Sequence, residues 1–152
     1  RPLPPQASHV PPAPSTTPAP VRRAHPAQAQ HRYRAALAAR EPGRPQAAMG
    51  PFRQFPADYP RHELAPNAGY WLGECHYSMK QYEPAIIAFK DGVAQYPAHD
   101  KAAASMPKAG FSYAQLGDSS NAGFHLEALI RDYSASQTAF LACVRPAALD
   151  FA

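Results

Sequence analysis

Apolar and polar positions between residues 32 and 145 follow the period of amphipathic helices, and the pattern repeats itself. Tyr70, Gly73 and Tyr77, then Ala85, Ala88, Phe89, Val93 and Tyr96, form two stretches with apolar residues at helical spacing. Similar residues return at an offset of 37: Tyr59, Tyr96 and Tyr133; Ala48, Ala85 and Ala122; Phe52, Phe89 and Leu126; Gly73 and Gly110; Tyr33 and Tyr70. Three units are therefore expected, each a helix, a tight turn, a second helix and a Tyr-Pro or Tyr-Ser stop. The spacing predicts helices at 32–41, 46–58, 66–79, 83–95, 103–116, 119–132 and 136–145. The fold expected is all-α: three helical hairpins and a C-terminal capping helix, stacked as a right-handed α–α superhelix without a sheet.

Within each unit the small residues have a mechanical reading. Gly73 with Ala85, and Gly110 with Ala122, let the two helices of a hairpin approach closely, while Phe89 and Leu126 fill the seam. Gly43 and Gly117 stand two periods apart with Lys80 midway, at the turn where a left-handed residue caps the first helix. Pro51 falls inside the second helix of unit one, where proline removes a hydrogen bond and crowds the preceding turn. Pro107 is expected in the first turn of its helix. Unit one is thus expected to be the softest and unit two the best packed.

Composition changes the picture at the N-terminus. The chain has 152 residues and 19 prolines, and nine of those prolines lie in residues 1–30. Residues 1–31 lack any periodic apolar pattern and read as a disordered Pro/Ala-rich linker, with 32–146 as the repeat domain and 147–152 as a short tail. Charge divides near the same place. Residues 1–34 carry five arginines and no acid, whereas the remainder has ten basic and eleven acidic residues, so the net +4 belongs to the tail. A basic nucleic-acid-binding face on the folded part is not expected. No stretch approaches the ~20 apolar residues of a membrane helix. The opening Arg1-Pro2-Leu3-Pro4-Pro5 has no signal-peptide core, and the sequence is expected to be a piece of a longer or processed chain.

Catalytic and metal chemistry find no assembled set of residues. There is no Gly-x-Ser-x-Gly elbow, no Gly-rich phosphate loop and no His-Glu-x-x-His. His62 and His99 lie 37 apart, each two residues after a Tyr-Pro, with Ser136 in third place. That equivalence points to a structural slot at the start of the next helix, such as a cap. One repeat is also too long a distance for a shared metal ion. No enzyme activity, cofactor or metal is expected. The two cysteines, Cys75 and Cys143, fall on helices about two repeats apart in a linear array, and free thiols are expected.

Stacking places the first helices of successive units along a concave groove. Unit two offers Asn67, Tyr70, Glu74 and Tyr77 there. Unit three adds Lys108, Phe111 and Gln115, and unit one Tyr33, Arg34 and Arg40. Aromatic groups mixed with both signs of charge suit an extended peptide or a partner helix, so Asn67, Tyr70, Glu74, Tyr77, Lys108 and Phe111 are the candidate partner-binding residues. The competing reading is that Tyr70 and Tyr77 complete the core between repeats.

The positions Leu72-Gly73, Ala85 with Phe89, and Pro97 resemble the tetratricopeptide repeat, as do Ala109-Gly110, Tyr113, Ala122 and Leu126. Trp71 stands two places from that repeat's usual tryptophan and is not counted as a match. More narrowly, the run Ala65-Pro66-Asn67-Ala68-Gly69-Tyr70-Trp71-Leu72-Gly73-Glu74 is similar to the C-terminal tetratricopeptide (TPR) domain of the YbgF/CpoB family. So are Lys108-Ala109-Gly110-Phe111-Ser112-Tyr113-Ala114-Gln115-Leu116-Gly117-Asp118 and Leu129-Ile130-Arg131-Asp132-Tyr133. That family comprises the Tol–Pal system periplasmic proteins that coordinate cell division, and the likeness covers about residues 33–145. It implies a non-catalytic periplasmic module that binds a TolA-like envelope protein and links cell-wall synthesis, through its synthase complex, to outer-membrane constriction. Family members carry a trimerising coiled coil before a disordered linker. No heptad segment occurs here, so a trimer is expected only if a coiled coil precedes Arg1. Two alternatives share part of the pattern: a component of outer-membrane β-barrel assembly, and a generic scaffold for another envelope protein. A carboxylate-reading co-chaperone does not fit, because Tyr33, Leu37, Tyr70 and Glu74 occupy its Lys and Asn places.

Overall fold

A computed structural model describes residues 25–41 and 43–132. Six helices follow one another: α1 Pro26–Ala39, α2 Pro45–Asp58, α3 Ala65–Ser78, α4 Tyr82–Gln95, α5 Asp100–Gln115 and α6 Ser119–Asp132. Neighbours in sequence pack as neighbours in space, giving hairpins α1–α2, α3–α4 and α5–α6 stacked in a row. No strand occurs among the described residues. The expected linker over residues 1–24, the final helix at 136–145, the tail 147–152 and Cys143 lie outside the described residues.

The repeat offset has a backbone counterpart. Gly43, Lys80 and Gly117 all adopt positive φ, at 96°, 60° and 79°, so the left-handed turn recurs at the same place in each unit. At Lys80 a residue with a Cβ occupies a conformation that glycine adopts without steric cost. The hairpin seams also follow the small residues. A Cβ on Gly73 would collide with the ring of Phe89, and one on Gly110 would stand 3.3 Å from the Ala122 carbonyl oxygen. Ala48, Ala85, Phe52 and Phe89 are wholly buried. The Tyr-Pro stops of units one and two are tied together: the Tyr96 hydroxyl donates to the Pro60 carbonyl at 2.9 Å.

Three expectations need correction. Helix α1 opens at Pro26, not at 32, so residues 26–31 of the expected linker are helical. Proline at the first helical position loses no intrahelical bond, and Ala29, Tyr33 and Ala36 then supply a buried stripe. Helix α5 likewise starts at Asp100 and not at 103, which puts Pro107 inside the helix and buried. Finally, the largest contiguous cluster of buried residues among those described lies in unit one and its junction with α3, not in unit two. Pro51 is on the exposed side of α2, so its backbone defect faces solvent while Phe52 and Phe55 face inward. There Tyr33 meets both phenylalanine rings edge-on, at 6.2 and 5.6 Å.

The expected histidine slot is present. His99 is the N-cap of α5 and its Nδ1 accepts the Lys101 amide at 3.1 Å; His62 Nδ1 accepts the Leu64 amide at the same distance. Each satisfies one of the amides that a helix start leaves unpaired. Ser136, the third member, lies outside the described residues. Cys75 is buried and free, and burial pushes its thiol pKa up.

Candidate concave binding face

Helices α1, α3 and α5 form one side of the stack. Helix α5 packs directly on α3 as well as on α4, and no comparable contact joins α4 to α6 among the described residues. Helices α3 and α5 are thus closer together than α4 and α6, and α1 reaches α3 through Tyr33 and Arg40 against Trp71, so the side carrying α3 and α5 is the inner one.

The six expected groove residues are all partly buried on these helices. Glu74 on α3 and Lys108 on α5 form an ion pair across the stack, with Nζ 3.1 Å from Oε1 and 3.3 Å from Oε2. Their side chains are only 21% and 28% exposed, so the pair is more shielded than a surface bridge. Oε1 is itself buried and accepts no hydrogen bond with proper geometry from the described residues, so only Oε2 is hydrogen-bonded. Lys108 Nζ also stands 5.6 Å from the Tyr77 ring centroid. Burial, with Tyr82 and Glu74 nearby, raises the Tyr77 hydroxyl pKa. Phe111 follows Lys108 by one helical turn, and Asn67 sits in the first turn of α3.

Tyr70 and Tyr77 have a double role. Both pack on the cluster of Ala85, Phe89 and Ala109, as the core reading anticipated, and both retain partial exposure. The Tyr70 ring lies 5.9 Å from Phe89 and 4.5 Å from Lys101 Nζ, so one side of it belongs to the core and another to a cation.

Sequence reasoning missed the centre of this face. Trp71 joins all three first helices: its indole N–H donates to the Tyr33 hydroxyl at 3.0 Å, Arg40 Cζ lies 4.0 Å over its ring, and Lys101 Nζ lies 5.6 Å from it. Burial raises the Tyr33 hydroxyl pKa against the lowering effects of Trp71 and Arg40. The repeat register held the signal, since Arg34, Trp71 and Lys108 occupy one equivalent position at intervals of 37. Beside Arg40 a cleft of about 390 Å³ is lined by Gly43, Pro45, Glu74, Cys75 and Ser78. No group of three or more metal-ligating side chains occurs among the described residues. No helix among them is long and apolar enough to cross a membrane.

Residues 67–99, which include α4 and nearly all of α3, match the tetratricopeptide repeat family. No curated protein matches the chain. The chain therefore contains a tetratricopeptide repeat, set in a longer array of helical hairpins, and such a repeat points to a protein partner.

Proposed function

We propose that this chain is a non-catalytic peptide-binding module that holds an extended polypeptide segment on its concave face. One observation carries the reading. The Glu74–Lys108 pair bridges α3 and α5 at the inner side of the stack, flanked by Tyr77 and Phe111, and all four remain partly open to solvent. Flat aromatic groups contribute contact area with few rotors to freeze, and a shielded ion pair orients a partner's polar groups. We further propose, from the likeness of residues 65–74 and 108–118 to the YbgF/CpoB family, that the module works in the periplasm as part of the Tol–Pal system. Its partner would then be a TolA-like envelope protein, and its role the coordination of cell-wall synthesis with outer-membrane constriction.

The test is binding of a TolA-like protein to Tyr77→Ala and Phe111→Ala variants by titration calorimetry. Truncating a central anchor costs ~2 kcal/mol, so each variant is expected to bind about thirtyfold more weakly while keeping its helical circular dichroism. Folded variants that bind normally would remove the concave face as the site.

A further inference from the structure

We infer that the segment bound on the concave face is acidic, and that one of its side-chain carboxylates docks between Arg40 and Lys101 over Trp71. The inference rests on the polypeptide-binding reading above and adds the chemistry of the partner. It starts from a charge imbalance on that face. Lys108 has a carboxylate partner on this face, whereas Arg40 and Lys101 have none among the described residues. These two cations nevertheless converge on one indole, at 4.0 and 5.6 Å from its centroid. Like charges gathered in this way repel, and the ring faces offset only part of that repulsion. An anion placed between them removes it.

The geometry of the platform favours a carboxylate. Trp71 is fixed in place by its hydrogen bond to Tyr33, which is buried. A guanidinium over the indole has one face covered, and its N–H groups, which lie in its own plane, remain free for a two-pronged contact with a carboxylate. Lys101 is held over Tyr70 at 4.5 Å and supplies a second charge from the neighbouring first helix, α5. The carboxylates on α1, α3 and α5 among the described residues are Glu74, already engaged by Lys108, and Asp100 at the exposed first position of α5. An acidic peptide fits better than a phosphate backbone, because Glu74 interrupts the row of cations and the sequence after Arg34 carries a net charge of −1.

Trp71 is the sole tryptophan of the chain, so its fluorescence reports on this site directly. The probes are a library of end-capped peptides with fixed central glutamates and randomised flanks, the same library with glutamine in place of glutamate, and a single-stranded oligothymidylate. The glutamate library is expected to shift the Trp71 emission saturably and to bind at least tenfold more tightly than the glutamine library. Arg40→Gln and Lys101→Gln should each reduce that binding about tenfold or more, with helical circular dichroism retained, while Lys90→Gln on α4 should leave it unchanged. Equal binding of the two peptide libraries, with Arg40→Gln and Lys101→Gln behaving as the parent, would overturn the acidic assignment and leave the peptide-binding reading intact. An equal loss in Lys90→Gln would mean diffuse attraction and would overturn it too, as would an oligothymidylate that saturates the signal in place of the peptides. Silence of Trp71 toward both peptide libraries would overturn the inference, and normal TolA-like binding by Tyr77→Ala and Phe111→Ala would separately overturn the reading beneath it.

Discussion

Hairpins α3–α4 and α5–α6 are built on one 37-residue template and solve it differently. In the second hairpin Phe89 lies against Gly73 so closely that no Cβ fits, and the turn uses Lys80 at positive φ. In the third, the half-buried Leu126 meets Gly110 at ordinary contact, the turn uses Gly117, and His125 stands where the second has Ala88. The template therefore imposes a close approach and a left-handed turn, and leaves the tightness of the seam to the side chains. The second hairpin gains aromatic burial and bears backbone strain; the third relaxes both and admits a titratable group.

The seam gives the largest expected difference. Phe89→Ala should destabilise the protein by ~3–5 kcal/mol, since a wholly buried ring is replaced by a cavity. Leu126→Ala, at a half-buried position, should cost clearly less than that. Gly73→Ala should itself cost ~1–3 kcal/mol by overpacking against Phe89. Urea unfolding of the three variants checks the order. If Leu126→Ala matched or exceeded Phe89→Ala, the second seam would not be the tighter one.

Much of this architecture was legible because close approach and positive φ demand particular residues. Gly73, Gly110, Gly43 and Gly117 are required by geometry, so their periodicity survives in the sequence. The start of α1 was not legible. Pro26, Ala27, Gln28 and Gln30 read as linker composition, and only the buried Ala29, Tyr33 and Ala36 reveal a helix face. The start of α5 is hidden by Pro107, whose residue type suits a first turn, whereas His99 caps the helix earlier and Pro107 lies within it. At the candidate site the Glu74–Lys108 partnership follows from stacking first helices. The Trp71 platform depends on how Arg40 and Lys101 fold over a ring from other helices, and a linear pattern carries no such information.

A smaller effect is expected at the turns. Lys80 holds φ at 60° in the slot that Gly43 and Gly117 fill elsewhere. A left-handed backbone costs a residue with a Cβ ~1–2 kcal/mol, and glycine's greater freedom in the unfolded chain takes back part of that. Lys80→Gly should therefore raise stability by about 1 kcal/mol, visible as a higher urea midpoint at an unchanged slope. The converse Gly117→Ala should lower it by a similar amount. A destabilised Lys80→Gly would show that the lysine side chain secures the turn, and the contrast between the hairpins would then lie in the seam alone.

The smallest effect separates the third hairpin from the second by pH. His125 on α6 stacks on Tyr113 with ring centroids 5.2 Å apart, and its register partner in the second hairpin is Ala88, which does not titrate. Burial, assisted by the positive charge of Lys90, holds the His125 pKa below its ordinary 6.5. In the unfolded chain this imidazole takes up its proton first as the pH falls, so the unfolded state binds more protons just below 6.5. Stability contributed by the neutral ring is therefore complete above that value and is lost as the pH drops from it toward the lower folded pKa. His125→Gln keeps a polar side chain of similar reach without the titration. The difference in unfolding free energy between the parent and this variant should be constant from neutral pH upward and should shift in the parent's disfavour as the pH falls below about 6.5. A difference that stays flat below that pH, measured by urea unfolding at successive pH values, would mean that the third hairpin opens to solvent around His125 and is looser than its seam implies.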